Sequence, residues 1–188
     1  MALSTSKIPG GNELLNPLFI LNKVGLEEGM KVGDLGCGGR GFFTLQAARL
    51  VGDKGTVYGV DVLKSALQSL KSEAEANGIY NVKPVWSNLE IYGATKINDG
   101  FLDVALIINV LFQVKEKDIV LKEAWRMLKR EGKLLVIDWK KTGAPFGPPV
   151  EMRVSKERVK KIAESLNLIL LEEFEAGNYH YGLIFKKV

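Results

Sequence analysis

"DLGCGGRGFF", residues 34–43, packs four glycines into six positions directly behind a short apolar run. A glycine buries no side chain and loses more chain entropy on folding than any other residue, so the backbone must be kept bare here for a reason. The spacing Gly36-x-Gly38-x-x-Gly41 fits a dinucleotide fingerprint, and Asp61 closes the next apolar run, "TVYGVDV" (56–62), about 20 residues on. The physics of that spacing is shared by many nucleoside ligands: a tight turn, a close backbone approach and a helix N-terminus aimed at the ligand. A carboxylate ending the second strand accepts both ribose hydroxyls of any adenosine. The loop therefore announces a nucleoside site before it announces which nucleoside.

Asp34 separates the candidates. A carboxylate two residues ahead of the first glycine would repel a diphosphate but suit a ligand carrying an ammonium and a sulfonium. S-adenosylmethionine has both cations and an adenosine for Asp61. Two alternatives stay open: an NAD-dependent oxidoreductase built on the same glycine spacing, and a cofactor-binding module without transfer activity.

Outward from the loop, short β-rich runs alternate with longer helical periods. The strand candidates are 31–36, 56–62, 82–86, 101–110, 133–139, 168–174 and 181–188, several of them near-continuous apolar runs as in parallel strands covered on both faces. Residues 118–130 place Val120, Leu121, Ala124, Trp125 and Leu128 on one helical face, and 156–166 do the same with Val159, Ile162, Ala163 and Leu166. Residues 64–77 read as a polar, alanine-rich helix stopped by Asn77-Gly78, and an opening helix spans about Glu13 to Lys23 with Pro17 in its first turn. Strand–helix alternation predicts a Rossmann-like, doubly wound α/β sheet. Only "EAGNYH" (175–180) separates the last two strands, which is too short for a crossover, so they form an antiparallel hairpin. The stretch 140–155, "KKTGAPFGPPVEMRVS", has three prolines and two glycines and reads as a substrate lid loop.

At 188 residues the chain suits a single domain, with residues 1–24 as an N-terminal cap segment. Its formal charge of +4 and pI near 9.0 tolerate an RNA or an anionic surface without requiring one. One cysteine and one histidine leave no internal disulfide and no cysteine- or histidine-built metal centre. The start "MALSTSKIPG" is not a signal peptide, and no apolar run approaches the ~20 residues of a membrane span, so the expectation is a cytoplasmic protein, monomer or homodimer, without a metal.

The blocks "VGDLGCGGRGFFTLQAA" (32–48) and "GTVYGVDV" (55–62) resemble the class I S-adenosylmethionine-dependent methyltransferases. "FLDVALIINVLFQVKEKDIVLKEAWRMLKREGKLLVIDW" (101–139) resembles the branch with quinone-biosynthesis C-methyltransferases and arsenite methyltransferases (methyltransferase-11/25-type domains). The likeness spans almost the whole chain. It implies a seven-stranded sheet of order 3-2-1-4-5-7-6 with the last strand antiparallel, and S-adenosyl-L-methionine as cofactor with S-adenosyl-L-homocysteine as product. It departs from the family's acid-x-Gly-x-Gly-x-Gly at Arg40, where a glycine is expected, with Gly39 and Gly41 on either side. Carried over, Asp34, Gly36, Gly38 and Gly41 line the methionine part and Asp61 takes the ribose. Val62 packs on adenine, and Asn88 with Leu89 stands where the family often has an acid near the adenine amino group. Asn109 and Val110 lie beside the methyl donor, and Cys37 sits in the loop as a small packing residue.

His180 is the candidate general base, because its titration range suits that work, and Val110, Phe146, Tyr179, Tyr181 and Asp138 are candidate walls of the acceptor pocket. One cysteine cannot serve arsenite methylation, "NVLFQ" (109–113) is not the Asn/Asp-Pro-Pro-aromatic motif of many base-amine methylating enzymes, and no basic patch with interleaved aromatics is visible. These absences favour a small-molecule acceptor, with RNA or protein left open.

Overall fold

The computed structural model describes residues 14–142, 144 and 146–188. Elements follow in the order α1 (Pro17–Val24), β1 (Lys31–Leu35), α2 (Thr44–Val51), β2 (Thr56–Asp61), α3 (Lys64–Ala76), β3 (Val82–Trp86), β4 (Leu102–Ile108), α4 (Lys117–Met127), β5 (Leu128–Trp139), α5 (Lys156–Ser165), β6 (Leu168–Gly177) and β7 (His180–Lys187). The sheet has the order β3-β2-β1-β4-β5-β7-β6. β1 to β5 pair in parallel, and β7 runs antiparallel to both β5 and β6, as the resemblance implied. Among the described residues no helix is long and apolar enough to cross a membrane.

Side-chain alternation along the strands sorts the interior into two cores. Val104, Leu106 and Ile108 of β4 face α1, α2 and α3, whereas Ala105 and Ile107 face α4 and α5. The near-continuous apolar strands are thus explained by helices on both faces.

Three boundaries differ from the sequence-based expectation, each for a backbone reason. α1 begins at Pro17; Leu14–Asn16 are not α-helical, and Glu13 with the rest of 1–13 lies outside the described residues. Pro17 occupies the first helical position, where a missing N–H costs nothing, and the Asn16 side chain accepts from the Phe19 amide at 3.1 Å. α4 stops at Met127, and Leu128, expected on its apolar face, is instead the first residue of β5 and pairs with Leu102. Helical periodicity continues past that point in sequence, but Glu131 at φ +66° and a register shift between Leu102 and Val104 turn 129–132 into an irregular strand opening. The strands of the final hairpin extend to Gly177 and from His180, leaving only Asn178-Tyr179 as the turn.

The long connection after β3 is held by a network that the charge pattern did not suggest. Glu123 and Arg126 of α4 are buried and paired at 2.7 Å. Glu123 also accepts from the Gly93 and Thr95 amides, while Arg126 donates to the carbonyls of Thr95 and Ile97 and to Asp99. Burial pushes the Glu123 carboxyl up, but the guanidinium and the two amides outweigh it and hold its pKa below the ordinary value. Removing one partner strands the other charge in the interior. Arg126→Ala should lower the unfolding free energy by about 3–5 kcal/mol in urea titration; a loss under about 1 kcal/mol would show the pair to be dispensable.

Candidate active site

Strand order reverses between β1 and β4, and a cleft of about 850 Å³ opens beyond their carboxyl ends, a volume typical of small-molecule sites. Its floor is the loop from Gly36 to Phe42. Gly36, Gly38 and Gly41 all adopt the left-handed region, at φ +90°, +64° and +56°. Their tasks differ. A Cβ on Gly36 would lie 2.4 Å from Val110 Cγ2. At Gly38, which lines the cleft, a Cβ would meet nothing within 4 Å, so the bareness there leaves room for a ligand. Gly41 is not on the cleft wall; its Cβ would lie 2.3 Å from Leu70 Cδ1, so the residue lets α3 pack against the loop. Arg40 lines the cleft with no left-handed backbone, because Gly41 supplies that conformation one residue later. The extra residue is absorbed without loss of the turn.

The loop hangs from the end of β2. The Val60 carbonyl accepts from the amides of Gly36 (2.8 Å) and Cys37 (3.0 Å), and Asp61 Oδ2 accepts from Gly38 (3.0 Å). Asp61 Oδ1 accepts from the Leu63 amide at 2.9 Å. Asp61 lines the cleft, and each of its oxygens, accepting one amide, retains the capacity for a further donor, as ribose recognition needs. Beside it Val62 is 52 % exposed and Leu63 60 %, an apolar shelf inside the cleft. Asn88 and Leu89 form the opposite rim, where the Asn88 side-chain oxygen already accepts from the Glu90 amide at 3.0 Å. Asn109, at φ +57°, ends β4 and turns the chain across the cleft; its amide donates to Ile137 and its carbonyl accepts from the Gln113 side chain. Val110 follows it on the wall.

Seven expected site residues, Asp34, Gly41, Asp138, Phe146, Tyr179, His180 and Tyr181, do not line this cleft. Asp34 is buried and accepts from the Thr44 hydroxyl at 2.6 Å, tying the strand end to the first turn of α2. Burial raises its pKa to about 6, against the opposing Thr44 bond. Gly41 faces α3, as described. Tyr179 occupies the hairpin turn with its ring 5.0 Å from Phe146, and Phe146 packs edge-on to Trp139. His180, expected in an open turn, is fully buried in β7 with its ring 4.3 Å from that of Trp139. Neither imidazole nitrogen has a hydrogen-bond partner among the described residues. Burial, then the charges of Lys140 and Arg153, lower its pKa to about 4, so it is a neutral ring. Burial also keeps the Cys37 thiol protonated, aided by the charges of Asp34 and Asp61. Tyr181 donates from its hydroxyl to the Val154 carbonyl, and Asp138 accepts from the Trp139 amide deep in the fold.

Several wall residues escaped the sequence reading, Leu63, Ile108, Phe112, Val114 and Pro148 among them, and so did three whose contacts stand out. Trp139, the last residue of the fifth strand, closes the far end of the cleft with Gly147 and Pro148. Glu90 lines the cleft two residues after Asn88 and accepts from the amides of Lys115 (2.6 Å) and Glu116 (2.9 Å). The Glu116 amide above all holds its carboxyl below the ordinary range. Arg153 is a buried cation in the connection between β5 and α5. A strand-ending Trp and an acid at the rim of β3 were visible signals; nothing in the sequence marked Arg153.

Residues 26–179 match the protein family described as "Methyltransferase domain". This chain belongs to the class I S-adenosylmethionine-dependent methyltransferases. It is 36% identical over 133 residues to the ubiquinone/menaquinone biosynthesis C-methyltransferase UbiE of Vibrio campbellii, covering 70% of this chain and 50% of the relative. Against the enzyme of that name from Shewanella baltica the identity is 39% over 124 residues, covering 65% and 48%. The chain thus spans about half the length of the curated relatives it matches. A methyltransferase structure from Aquifex aeolicus superposes with a TM-score of 0.86 at 30% identity, covering 96% of this chain and 94% of that one. Membership resolves the glycine loop in favour of the sulfonium cofactor over the dinucleotide. The residues present fit it: an open Gly38, lone pairs on Asp61 and the Val62–Leu63 shelf.

Two measurements check the site. Asp61→Ala should weaken S-adenosylhomocysteine binding in calorimetric titration by about 1–3 kcal/mol, the worth of a hydrogen bond to a charged group; unchanged affinity would put the ribose elsewhere. Asp138 is fully buried, and burial raises its pKa to about 7 against the Trp139, Phe112 and Leu111 amides. A carboxyl whose folded pKa exceeds its unfolded value stabilises fully below about pH 4 and loses that contribution as pH rises through about 7. His180 acts oppositely, stabilising above about pH 6.5 and losing its contribution as pH falls through about 4. The lead of the parent chain over Asp138→Asn in unfolding free energy should therefore be larger at pH 5 than at pH 8, by roughly 2 kcal/mol. An equal difference at the two pH values would mean that the carboxyl is ionised throughout.

Proposed function

We propose that this methyltransferase methylates a ring carbon of a small apolar aromatic acceptor of the quinol type. The observation that carries the reading is the composition of the far half of the cleft. Ile108, Val110, Phe112, Val114, Trp139 and Pro148 make it apolar. The carboxylates on the wall, Asp61 and Glu90, are each engaged by two backbone amides. His180 and Asp138 stand behind the wall. Among the described residues no acid or imidazole is free there to take a proton from an amine or alcohol, so the acceptor has to bring its own activated nucleophile. A ring carbon made electron-rich by an ionised hydroxyl does so. The likeness to UbiE, a C-methyltransferase of ubiquinone and menaquinone biosynthesis, supports the same class.

When bound, S-adenosylmethionine would supply a methyl carbon made electrophilic by its sulfonium; the ring carbon's electrons would form the new C–C bond as the C–S pair returned to sulfur. The neutral methylated ring would lose the proton at that carbon to water once the product leaves the cleft, restoring aromaticity. The protein's part is positional: the glycine loop, Asp61 and the Val62 shelf hold one partner, and the apolar wall orients the other and excludes water.

Incubation with S-adenosylmethionine and reduced 1,4-naphthoquinol should give a C-methylated ring and one S-adenosylhomocysteine per methyl by mass spectrometry. Benzylamine, RNA and denatured protein should remain unmethylated. Phe112→Asp should lower kcat/KM at least roughly 100-fold, as expected for a charge forced into an apolar wall. Methyl found on nitrogen, on RNA or on protein overturns the reading, as does cofactor binding with no transfer to any of these acceptors.

A further inference from the structure

The loop that follows β5 is folded around a buried cation. Arg153 is only 4 % exposed, and among the described residues none of its hydrogen bonds or ion pairs goes to a carboxylate. Its Nε donates to the Pro148 carbonyl at 2.9 Å, Nη1 to Lys140 (3.0 Å) and Thr142 (2.7 Å), and Nη2 to Phe146 (3.4 Å). The guanidinium also lies over the Trp139 ring, 5.4 Å from its centroid. A buried charge without a counter-ion is costly unless it is well hydrogen-bonded, and here carbonyls take four of its five N–H donors while a ring face lies against the cation. Each carbonyl belongs to the loop or its first residue. The guanidinium is therefore the piece around which the loop closes, and only an arginine fork can reach four acceptors in these directions.

What the fork holds is the acceptor end of the cleft. Pro148 and Gly147 line the cleft beside Trp139. Gly147, at φ +93°, lies so close to the indole that a Cβ would stand 2.6 Å from Cη2. Phe146 continues the same segment onto Trp139 and Tyr179. By contrast, nothing in the glycine loop, Asp61 or the Val62 shelf touches Arg153. Arg153 thus acts on the far end of the cleft and makes no direct bond to the cofactor half.

We propose that Arg153 is a positioning residue that clamps the loop after β5 onto Trp139 and so sets the shape of the acceptor pocket without affecting the cofactor half. The assignment of this end to the acceptor rests on the function proposed above. Lysine at 153 keeps the charge but cannot bridge four carbonyls, so it does not substitute.

Arg153→Ala and Arg153→Lys are each compared with the parent chain in three readouts. Hydrogen–deuterium exchange at 146–152 should rise at least tenfold while the amides of β1, β4 and β5 keep their protection. The calorimetric Kd for S-adenosylhomocysteine should stay within twofold. With the naphthoquinol probe, KM should rise at least tenfold in both variants while kcat stays within threefold. Gly147→Ala, which forces the same segment off the indole with Arg153 intact, should reproduce the KM shift. If the parent chain does not turn over the probe, the quinol reading fails, and loop exchange together with the cofactor Kd still judges the clamp. Unchanged exchange at 146–152, a cofactor Kd that weakens as much as the loop loosens, or rescue by lysine overturns the proposal.

Discussion

The Asp61 carboxylate holds the cofactor half of this enzyme together before any ligand arrives. One oxygen anchors the Gly38 amide and the other the Leu63 amide, so the glycine loop and the entry to α3 are both referred to the end of β2. With Gly36 and Cys37 hung from the Val60 carbonyl, the loop's path is determined by backbone hydrogen bonds and three left-handed glycines. An L-residue forced into that region costs roughly 1–2 kcal/mol even with open space around it. At Gly36 and Gly41 there is no space either. Gly41 supplies the left-handed conformation one residue later, which is why Arg40 is tolerated where the family usually has glycine.

The acceptor half is made differently. Its wall is a set of side chains whose positions depend on one another: Trp139 at the strand end, Gly147 against its face, Phe146 against its edge. Asn109 joins the halves. By leaving β4 in a left-handed conformation while its amide stays bonded to Ile137 of β5, it carries the chain over the switch point and delivers Val110 against Gly36. A shift of β5 would therefore be felt both at Trp139 and at the end of β4.

This division explains what could be read from the sequence. The sheet, its order and the glycine turn follow from local rules: apolar runs, the spacing of glycines, an acid closing a strand, a connection too short to cross over. Gly36, Gly38, Asp61, Val62, Asn88, Leu89, Asn109 and Val110 consequently stand on the cleft wall. Features set by tertiary packing were not legible. Gly41 has the fingerprint spacing but serves α3, because the turn was lengthened at Arg40. Asp34 looked like a ligand-facing charge, yet β1 is central and its last side chains point into the fold, where the Thr44 hydroxyl takes up the carboxylate. His180 looked like part of a turn; the strands of the hairpin continue to within two residues of each other, and the imidazole is drawn inside. Arg153 gave no signal, because its partners are carbonyls, which every sequence has.

The groups behind the acceptor wall share one property. His180 is a neutral ring at any pH near 7, and Asp138 is far more readily neutral than an ordinary aspartate. The charge on Arg153 is dispersed over four carbonyls and an indole face, and that on Lys140 is paired with Glu175. The far half of the cleft is thus weakly polar through its second layer as well as on its surface. For the proposed displacement that matters more than a base would. A cationic donor and an ionised ring combine to neutral products, so charge disappears along the reaction, and surroundings that solvate ions poorly favour the less charged transition state over the separated ions. Placing a carboxylate or an imidazolium on this wall to assist proton transfer would restore the polarity that the arrangement removes.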